Sequence, residues 1–247
     1  AEELAVLARS KGRVLMVGHT FLYNPAVRFL KDYIDKGELG RVYYVYCQRL
    51  NLGQVRSDVN VWWNLAPHDI SILLYLMNGQ LPVSVTASGQ DYIQKGIEDV
   101  AFASLTWEDN TMTQIQVSWL DPGKVRKITV VGSKKMIVYD DMSDDKIAIF
   151  NKGVDRVPLS QEGVMDYDRF DKYQLLHRTG DVWLPRIDFQ EPLKIEAAHF
   201  LDCVRKNEEP LTGPKHAVDV VRVLSAGEQA MRTQRPVSLL EPLRIAA

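Results

Sequence analysis

Between residues 83 and 150 the sequence alternates apolar and polar residues with a period of two, and no other feature limits the fold as strongly. The alternating runs are short, and polar turns such as Glu108-Asp109-Asn110 join several of them, which is typical of antiparallel strands. The runs predict successive strands at 83–92, 100–107, 113–119, 125–131, 136–139 and 146–150. This part of the chain is therefore predicted to be an antiparallel meander.

Apolar residues at helical spacing lie on both sides of the meander. Asn24 followed by Pro25 predicts a helix start, and the apolar positions then recur as far as Gly37. Residues 2–11 and 67–77 also predict helices, residues 41–50 predict a strand, and two closing helices begin at Pro192 and Pro214. The core face of the first closing helix is predicted to carry Leu193, Ala197, Phe200, Leu201 and Val204.

Helices placed before and after the strands can cover only one side of a sheet. The predicted fold is therefore α+β, an open, mainly antiparallel sheet with helices on one face. The other face would expose Trp107, Trp119 and Ile115, or their neighbours, as a large apolar patch. We interpret that face as the interface of a homo-oligomer.

Two segments fall outside this pattern. Residues 14–17, Val-Leu-Met-Val, are apolar throughout, which favours a strand buried on both faces of a parallel sheet. Because nothing before them supplies parallel neighbours, we interpret residues 1–18 as the last helix and strand of a truncated Rossmann-type α/β domain, and residues 19–247 as the α+β domain. Residues 151–191 show no clean period, and so long an irregular stretch is usually functional or part of an interface.

Composition argues against several kinds of partner. The 30 Lys and Arg residues balance 32 Asp and Glu residues without forming a basic cluster, so nucleic acid is not expected. The longest strongly apolar stretch, residues 70–77, is far shorter than the roughly 20 residues of a bilayer crossing, so no membrane span is expected. Cys47 and Cys203 have no second thiol at metal or redox spacing, which favours the cytoplasm and no metal site.

The densest group of polar and aromatic residues is the segment 62–71, Trp-Trp-Asn-Leu-Ala-Pro-His-Asp-Ile-Ser. With a helix predicted from residue 67, this segment lies just before and within the first turn, where free backbone N–H groups face a common space. His68 is its one residue with an ordinary pKa suited to proton transfer at neutral pH, and Asn64 can donate a hydrogen bond. Alternatively, Asn64 and Asp69 are helix-start residues and His68 is structural.

A second group, residues 18–25, follows the predicted parallel strand. Open α/β sheets bind ligands beyond the carboxyl ends of their strands, so His19 and Tyr23 are candidate ligand contacts. The alternative is that both residues pack at a domain junction. Asn24 is interpreted as a helix cap.

These segments, taken in order, resemble a known family. Gly-His-Thr-Phe-Leu-Tyr-Asn-Pro-Ala-Val-Arg at 18–28, Trp-Asn-Leu-Ala-Pro-His-Asp-Ile-Ser at 63–71, and the closing segments 180–182, 191–196, 199–201, 210–212 and 220–224 are similar to the second half of the glucose–fructose oxidoreductase, inositol dehydrogenase and MocA family. The resemblance spans nearly the whole chain, and it depends more on the order of the segments than on any single motif.

The resemblance implies an NAD(P)-dependent oxidoreductase acting on a sugar, cyclitol or nucleotide sugar. In that family NAD or NADP binds an N-terminal Rossmann domain, and residues 19–247 correspond to the domain for substrate binding and oligomerisation. Neither a glycine fingerprint nor the family's Glu-Lys-Pro motif occurs in these 247 residues. The main cofactor site is therefore expected outside this chain, and the chain alone is expected to be inactive.

The family pattern places an acidic residue four positions before a histidine. His68 matches the histidine, and Asn64 stands at the acidic position. The resemblance therefore implies catalytic roles for His68 and Asn64, with His68 as the proton-transfer group. It further implies substrate contacts at Tyr23, Trp63, Asp69 and Arg28, and cofactor contacts at His19, Thr20 and Phe21.

Two other functions were weighed. Asn64 in place of an acid would suit a noncatalytic sugar-binding or dimerisation module with the same fold. The adjacent His68 and Asp69 could suggest a metal phosphohydrolase, but such enzymes gather further His and Asp ligands from several helices, and the segment that follows here is rich in strands.

Overall fold

The computed structural model describes residues 1–158 and 173–240. Within these ranges the main sheet has nine strands in the order β10-β7-β6-β5-β1-β4-β3-β2-β11, and β8 and β9 form a separate hairpin. The strands are β1 (Val42–Leu50), β2 (Ser84–Gln90), β3 (Val100–Thr106), β4 (Met112–Ser118), β5 (Val125–Gly132), β6 (Met136–Asp140), β7 (Ile147–Phe150), β8 (Gly153–Pro158), β9 (Tyr173–Arg178), β10 (Val182–Trp183) and β11 (Val237–Ser238).

Five α-helices and one 3₁₀ turn accompany the sheet in the described ranges. They are α1 (Glu2–Ser10), the 3₁₀ turn (Thr20–Tyr23), α2 (Pro25–Asp35), α3 (Val61–Leu76), α4 (Pro192–Lys206) and α5 (Pro214–Thr233). Asn24 caps α2, because its side-chain oxygen accepts a hydrogen bond from the Ala26 N–H at 2.9 Å. The predicted α+β fold is confirmed. No helix of the described part combines the length and apolar character that a bilayer crossing requires.

The strand order departs from a simple meander at β1. Consecutive strands β2, β3 and β4 pair antiparallel, as do β5, β6 and β7. Between the two groups lies β1, parallel to β4 and antiparallel to β5, so that Cys47 faces Ile115 on one side and Ile128 on the other. The alternating pattern identified the strands, but it carries no information about which strands are partners.

Helices α3 and α5 cover one face of the sheet. Trp62 of α3 is fully buried there, and its indole N–H donates to the Leu224 carbonyl of α5 at 2.9 Å. Trp107, Trp119 and Ile115 are also buried, so of the two alternatives left by the sequence it is their neighbours that occupy the open face. Alternation separates two faces without showing which one the helices cover.

Two segments were predicted to lie outside the regular pattern. Residues 14–17 are paired with no described strand, as expected for a strand whose neighbours lie outside this chain, so their assignment to a truncated domain stays a prediction. The Val17 N–H instead donates to the Thr212 carbonyl at 3.0 Å. The segment 151–191 contains β8, β9 and β10 rather than irregular chain alone, and its residues 159–172 lie outside the described residues.

The core face predicted for α4 was wrong. Leu193, Leu201 and Val204 are exposed, whereas Glu196 and Cys203 are buried. The apolar stripe is real at helical spacing, but periodicity cannot show which side of a helix meets the rest of the molecule. As a result, a carboxylate of α4 faces inward toward the 3₁₀ turn.

Candidate functional site

Helix α3 begins six residues earlier than predicted. Its N-cap is Asn60, whose side-chain oxygen accepts a hydrogen bond from the Trp63 N–H at 3.0 Å. Pro67 was interpreted as the first helical residue, but it lies inside the helix, where it lacks the N–H that would bond the Trp63 carbonyl. His68 is therefore in the helix body and not in a first turn with free N–H groups.

The structure brings the two predicted groups of residues together. The ring of Phe21, in the 3₁₀ turn, meets the imidazole of His68 edge to face, with 5.2 Å between ring centroids. Two guanidinium groups also lie over the Phe21 ring, Arg49 at 4.5 Å and Arg126 at 6.0 Å from its centroid. The candidate site is this cluster around Phe21 and His68.

His68 is neutral at physiological pH. Its pKa is lowered from 6.5 to about 4, chiefly by burial, with smaller contributions from Arg49, His19 and Arg126 and an opposing effect of Asp69. A neutral imidazole has a free ring nitrogen that can accept a proton from a hydroxyl group. The site therefore contains a group in the protonation state that a general base needs.

Asp69 is committed to an ion pair. Its two oxygens accept hydrogen bonds from Arg49 Nε at 2.8 Å and Nη2 at 2.9 Å, and both side chains are buried. The pair fixes the guanidinium of Arg49 over Phe21. Sequence reasoning missed Arg49. A signal was present, since Arg49 occurs in phase with Val45 and Cys47, the core residues of β1.

Asn64 lies one helical turn before His68 on the same face of α3. Its side-chain oxygen accepts a hydrogen bond from the Trp119 indole N–H at 3.1 Å, which fixes the orientation of the amide. In the part of the chain that the structure describes, the amide nitrogen of Asn64 has no hydrogen-bond partner. Trp63, the neighbouring predicted substrate contact, is partly buried.

The segment before Phe21 forms a second polar group beside the first. The buried ring of His19 lies 5.3 Å from that of His216, and burial lowers the pKa of each imidazole to about 4. Thr20 donates its hydroxyl to Glu196 at 2.7 Å. Glu196 Oε1 and His216 Nε2 are buried without partners among the described residues. Both were missed, and the signal for Glu196 is an acid in an otherwise apolar helical turn.

Two predicted substrate contacts lie apart from this cluster. Tyr23 is fully buried, and its hydroxyl shares a hydrogen bond of 3.1 Å with the Thr212 hydroxyl. Arg28 is exposed, lies 5.4 Å from the centre of the Tyr23 ring and donates to the Leu22 carbonyl. Among the described residues, no contact joins Tyr23 or Arg28 to His68.

A cavity of about 370 Å³ lies beside the 3₁₀ turn and shares His216 with the His19 group. Its lining also includes Lys31, Asp219 and Leu22. The described ranges contain no group of three or more His, Cys, Asp or Glu side chains arranged to hold a metal ion.

Comparison with protein families gives one match. The family described as "GFO/IDH/MocA C-terminal domain" matches residues 27–138. The resemblance inferred from the sequence is thereby confirmed.

Curated relatives agree with this match. The chain is 26% identical to UDP-N-acetylglucosamine 3-dehydrogenase of Acidithiobacillus ferrooxidans over 64% of this chain and 49% of that protein. It is 22% identical to scyllo-inositol 2-dehydrogenase (NAD(+)) of Bacillus subtilis over 94% of this chain and 64% of that protein. The match thus covers about half of the first relative's length and just under two thirds of the second's.

Solved structures share the fold. The inositol dehydrogenase homolog of Azotobacter vinelandii, complexed with NADH and myo-inositol, superposes with a TM-score of 0.71 at 17% identity, covering 96% of this chain and 67% of that one. The WlbA dehydrogenase of Bordetella pertussis, in complex with NADH and UDP-GlcNAcA, gives a TM-score of 0.70 at 19% identity, covering 98% and 67%.

Proposed function

We propose, from the match of residues 27–138 to the GFO/IDH/MocA C-terminal domain, that this chain is the substrate-binding half of a longer NAD(P)-dependent oxidoreductase. The substrate class is a hydroxyl or ketone carbon of a sugar, cyclitol or nucleotide sugar, which is the kind of molecule that the named relatives act on or bind. The observation that carries the proposal is the neutral imidazole of His68 in contact with Phe21.

In this proposal His68 accepts the proton of the substrate hydroxyl, or returns it in the reverse direction. Asn64, fixed by Trp119, donates its amide N–H to the substrate, and Trp63 lies beside the sugar ring of the substrate. Asp69 contributes by holding Arg49 in place and not by direct contact, because both of its oxygens are engaged. Tyr23 and Arg28 would contact only a substrate that extends beyond the cluster.

NAD or NADP, when bound, supplies the hydride acceptor. The residues of this chain proposed to border it are His19, Thr20 and Phe21. Glu196 Oε1 and His216 Nε2 are buried beside this segment and have no hydrogen-bond partner among the described residues, which supports the arrival of another polar group at the same edge. Because the segment offers no glycine-rich phosphate cradle, we propose that the chain is inactive alone.

The proposed cellular location is the cytoplasm. Both cysteines, Cys47 and Cys203, are buried and free, which suits a reducing compartment.

The second candidate function is a noncatalytic sugar-binding module. The observation that favours it is Asn64, whose amide oxygen is engaged with Trp119 and which places no carboxylate one turn before His68. The two functions differ in what they require of the imidazole, since a binding module needs no group that exchanges protons.

The test is the substitution His68→Asn in the full-length parent. If His68 is the general base, kcat/KM for sugar oxidation should fall by ~10² to 10⁴-fold. The matched control is His177→Asn, because His177 is exposed on β9, away from the cluster. A fall of only a few fold in the His68 variant would favour the noncatalytic module, and turnover by the isolated 247-residue chain would contradict its proposed inactivity.

We further propose that the open face of the sheet binds a second copy of the chain. Phe102 and Met112 are exposed on it, and a groove of about 480 Å³ is lined by Phe102 and the segment 234–236. Within this groove the side-chain amide of Gln48 donates a hydrogen bond of 3.1 Å to the side-chain oxygen of Gln116. A large, partly apolar sheet face of this kind is typical of an interface.

A further inference from the structure

Arg126 is a partly exposed cation beside His68, and the proposed reaction does not use it. In the register of β1 and β5, Arg126 is paired directly with Arg49, so both side chains project from the same face of the sheet. Both guanidinium groups then lie over Phe21. Two like charges placed opposite each other on neighbouring strands destabilise a sheet, so their retention here calls for a compensating anion at each one.

The two arginines differ in how their charge is compensated. Arg49 is buried and donates through two nitrogens to Asp69. The side chain of Arg126 is 36% exposed, and its one contact with a carboxylate is a long bond of 3.3 Å from Nη1 to Asp141. Asp141 also accepts the Tyr139 hydroxyl at 3.0 Å. Within the described residues, Nε and Nη2 of Arg126 therefore remain available to a ligand.

Among the described groups of the cluster, Arg126 is the cation whose charge is least compensated. His68 and His19 are neutral at physiological pH, since burial lowers the pKa of both to about 4. Arg49 and Asp69 cancel each other. A guanidinium with two adjacent free N–H donors matches the paired oxygens of a carboxylate or a phosphoryl group, and it binds them more strongly than it binds a neutral hydroxyl.

We propose that Arg126 makes the site selective for a substrate that carries an anionic substituent, a carboxylate or a phosphoryl group, near the reacting hydroxyl. This inference rests on the proposed function, because His68 defines where the reacting hydroxyl lies. Arg126 takes no part in the proton transfer. It binds the anionic substituent and so holds the neighbouring hydroxyl against His68.

The experiment uses the full-length parent and a substrate set whose members differ in one group: a neutral sugar, its uronic acid and its phosphate ester. The wild type should favour the anionic members. Arg126→Gln should raise KM for those members by about 10- to 100-fold, as expected when a hydrogen-bonded charge is lost, and leave the neutral member within a few fold. The uronic acid and the phosphate ester show separately which anion is preferred.

Two matched variants serve as controls for Arg126→Gln. Arg126→Lys retains the charge but not the paired donors, so it should recover only part of the preference. Asp141→Asn removes the competing carboxylate and should strengthen binding of the anionic member. A thermal unfolding curve for each variant establishes that it is folded.

Calorimetric titration of the same set measures binding without turnover, so the inference and the proposed function can fail separately. Equal affinity of the wild type for neutral and anionic members, or an equal loss for both in Arg126→Gln, would overturn the role of Arg126. If the wild type binds the anionic members more tightly and Arg126→Gln loses this preference, the role of Arg126 is supported even when no member is oxidised. Absence of oxidation would then count against the proposed function alone.

Discussion

At the scale of single residues, the site is shaped by which charges are cancelled and which are not. The buried Arg49–Asp69 pair is neutral as a unit, and removing one partner would leave an uncompensated charge in the core. Its contribution is to hold a guanidinium over Phe21, beside His68, whose neutral form is due chiefly to burial. Asp69 thus supports the site by holding Arg49 in place, whereas Arg126, with one long bond to Asp141, is the guanidinium that we propose binds the ligand.

The lowered pKa values of three histidines predict how the free energy of unfolding depends on pH. The pKa values of His19, His68 and His216 fall from 6.5 in the unfolded chain to about 4 in the fold, chiefly through burial. Between these values the unfolded chain binds more protons than the folded one, so the free energy of unfolding is constant above about pH 6.5 and decreases as the pH falls toward 4. The loss could reach about 3 kcal/mol for each histidine.

Urea unfolding followed by tryptophan fluorescence between pH 7 and pH 5 measures this loss, in a window above the titration of ordinary carboxylates. His216→Asn should flatten the decrease, whereas His177→Asn, at an exposed position, should leave it unchanged. A free energy of unfolding that stays constant from pH 7 to pH 5 would contradict the prediction.

The sequence identified part of the site. His68 and Phe21 were named as candidates and are in contact, and Asn64 lies on the same helix face. Arg49 and Arg126 were missed because they come from strands, and their approach to Phe21 depends on the pairing of β1 with β5. Residues brought together by strand pairing across 77 positions leave no local pattern to find.

At the scale of elements, helix α3 connects the site to the core. The helix was predicted to begin at Pro67, because proline usually marks a first turn. In the structure Trp62 belongs to the helix, is buried against α5 and bonds the Leu224 carbonyl. Tertiary packing of this indole therefore outweighs the local preference of Pro67, and it sets the rotation of α3 that points His68 at Phe21.

A substitution at Gly227 tests this packing. A Cβ at Gly227 would lie against the Trp62 indole, closer than real Cβ contacts occur. Alanine is favoured over glycine inside a helix by about 1 kcal/mol, yet we expect Gly227→Ala to destabilise the protein by about 1–3 kcal/mol through overpacking. Trp62 cannot turn away without losing its bond to Leu224.

Urea denaturation of the variant gives the change directly. The control is Glu228→Ala on the exposed side of the same helix, for which the change should stay within about 0.5 kcal/mol. A Gly227→Ala protein more stable than the wild type would show that α3 and α5 are packed less closely than described.

At the scale of the whole molecule, the sequence predicted the fold class and most strands, but not the order of the sheet. Alternation from residue 83 to 150 located the strands within one or two residues. The insertion of β1 between β4 and β5, and the pairing of β11 with β2, follow from contacts distant in sequence. The same limit left open whether Trp107 and Trp119 or their neighbours lie on the uncovered face.

The proposed oligomer gives a prediction at this scale. The wild-type protein should be a dimer or larger at micromolar concentration in light scattering, and Phe102→Asp should shift it toward monomer by placing a charge in the apolar interface. Leu201→Asp is the matched control, since Leu201 is about as exposed as Phe102 but lies on α4. A monomeric wild type would contradict the proposed use of the open face.

The central position of β1 also governs how the chain reaches this structure. Its two partners, β4 and β5, are translated long after it. One edge of this strand, which is rich in Val and Tyr, stays unpaired until residue 118 has left the ribosome, and the other until residue 132 has done so. Long-range pairing of this kind slows folding to roughly milliseconds or seconds, during which bare strand edges invite aggregation. The risk of aggregation is therefore greatest during synthesis and early folding, before His68 and Phe21 come into contact.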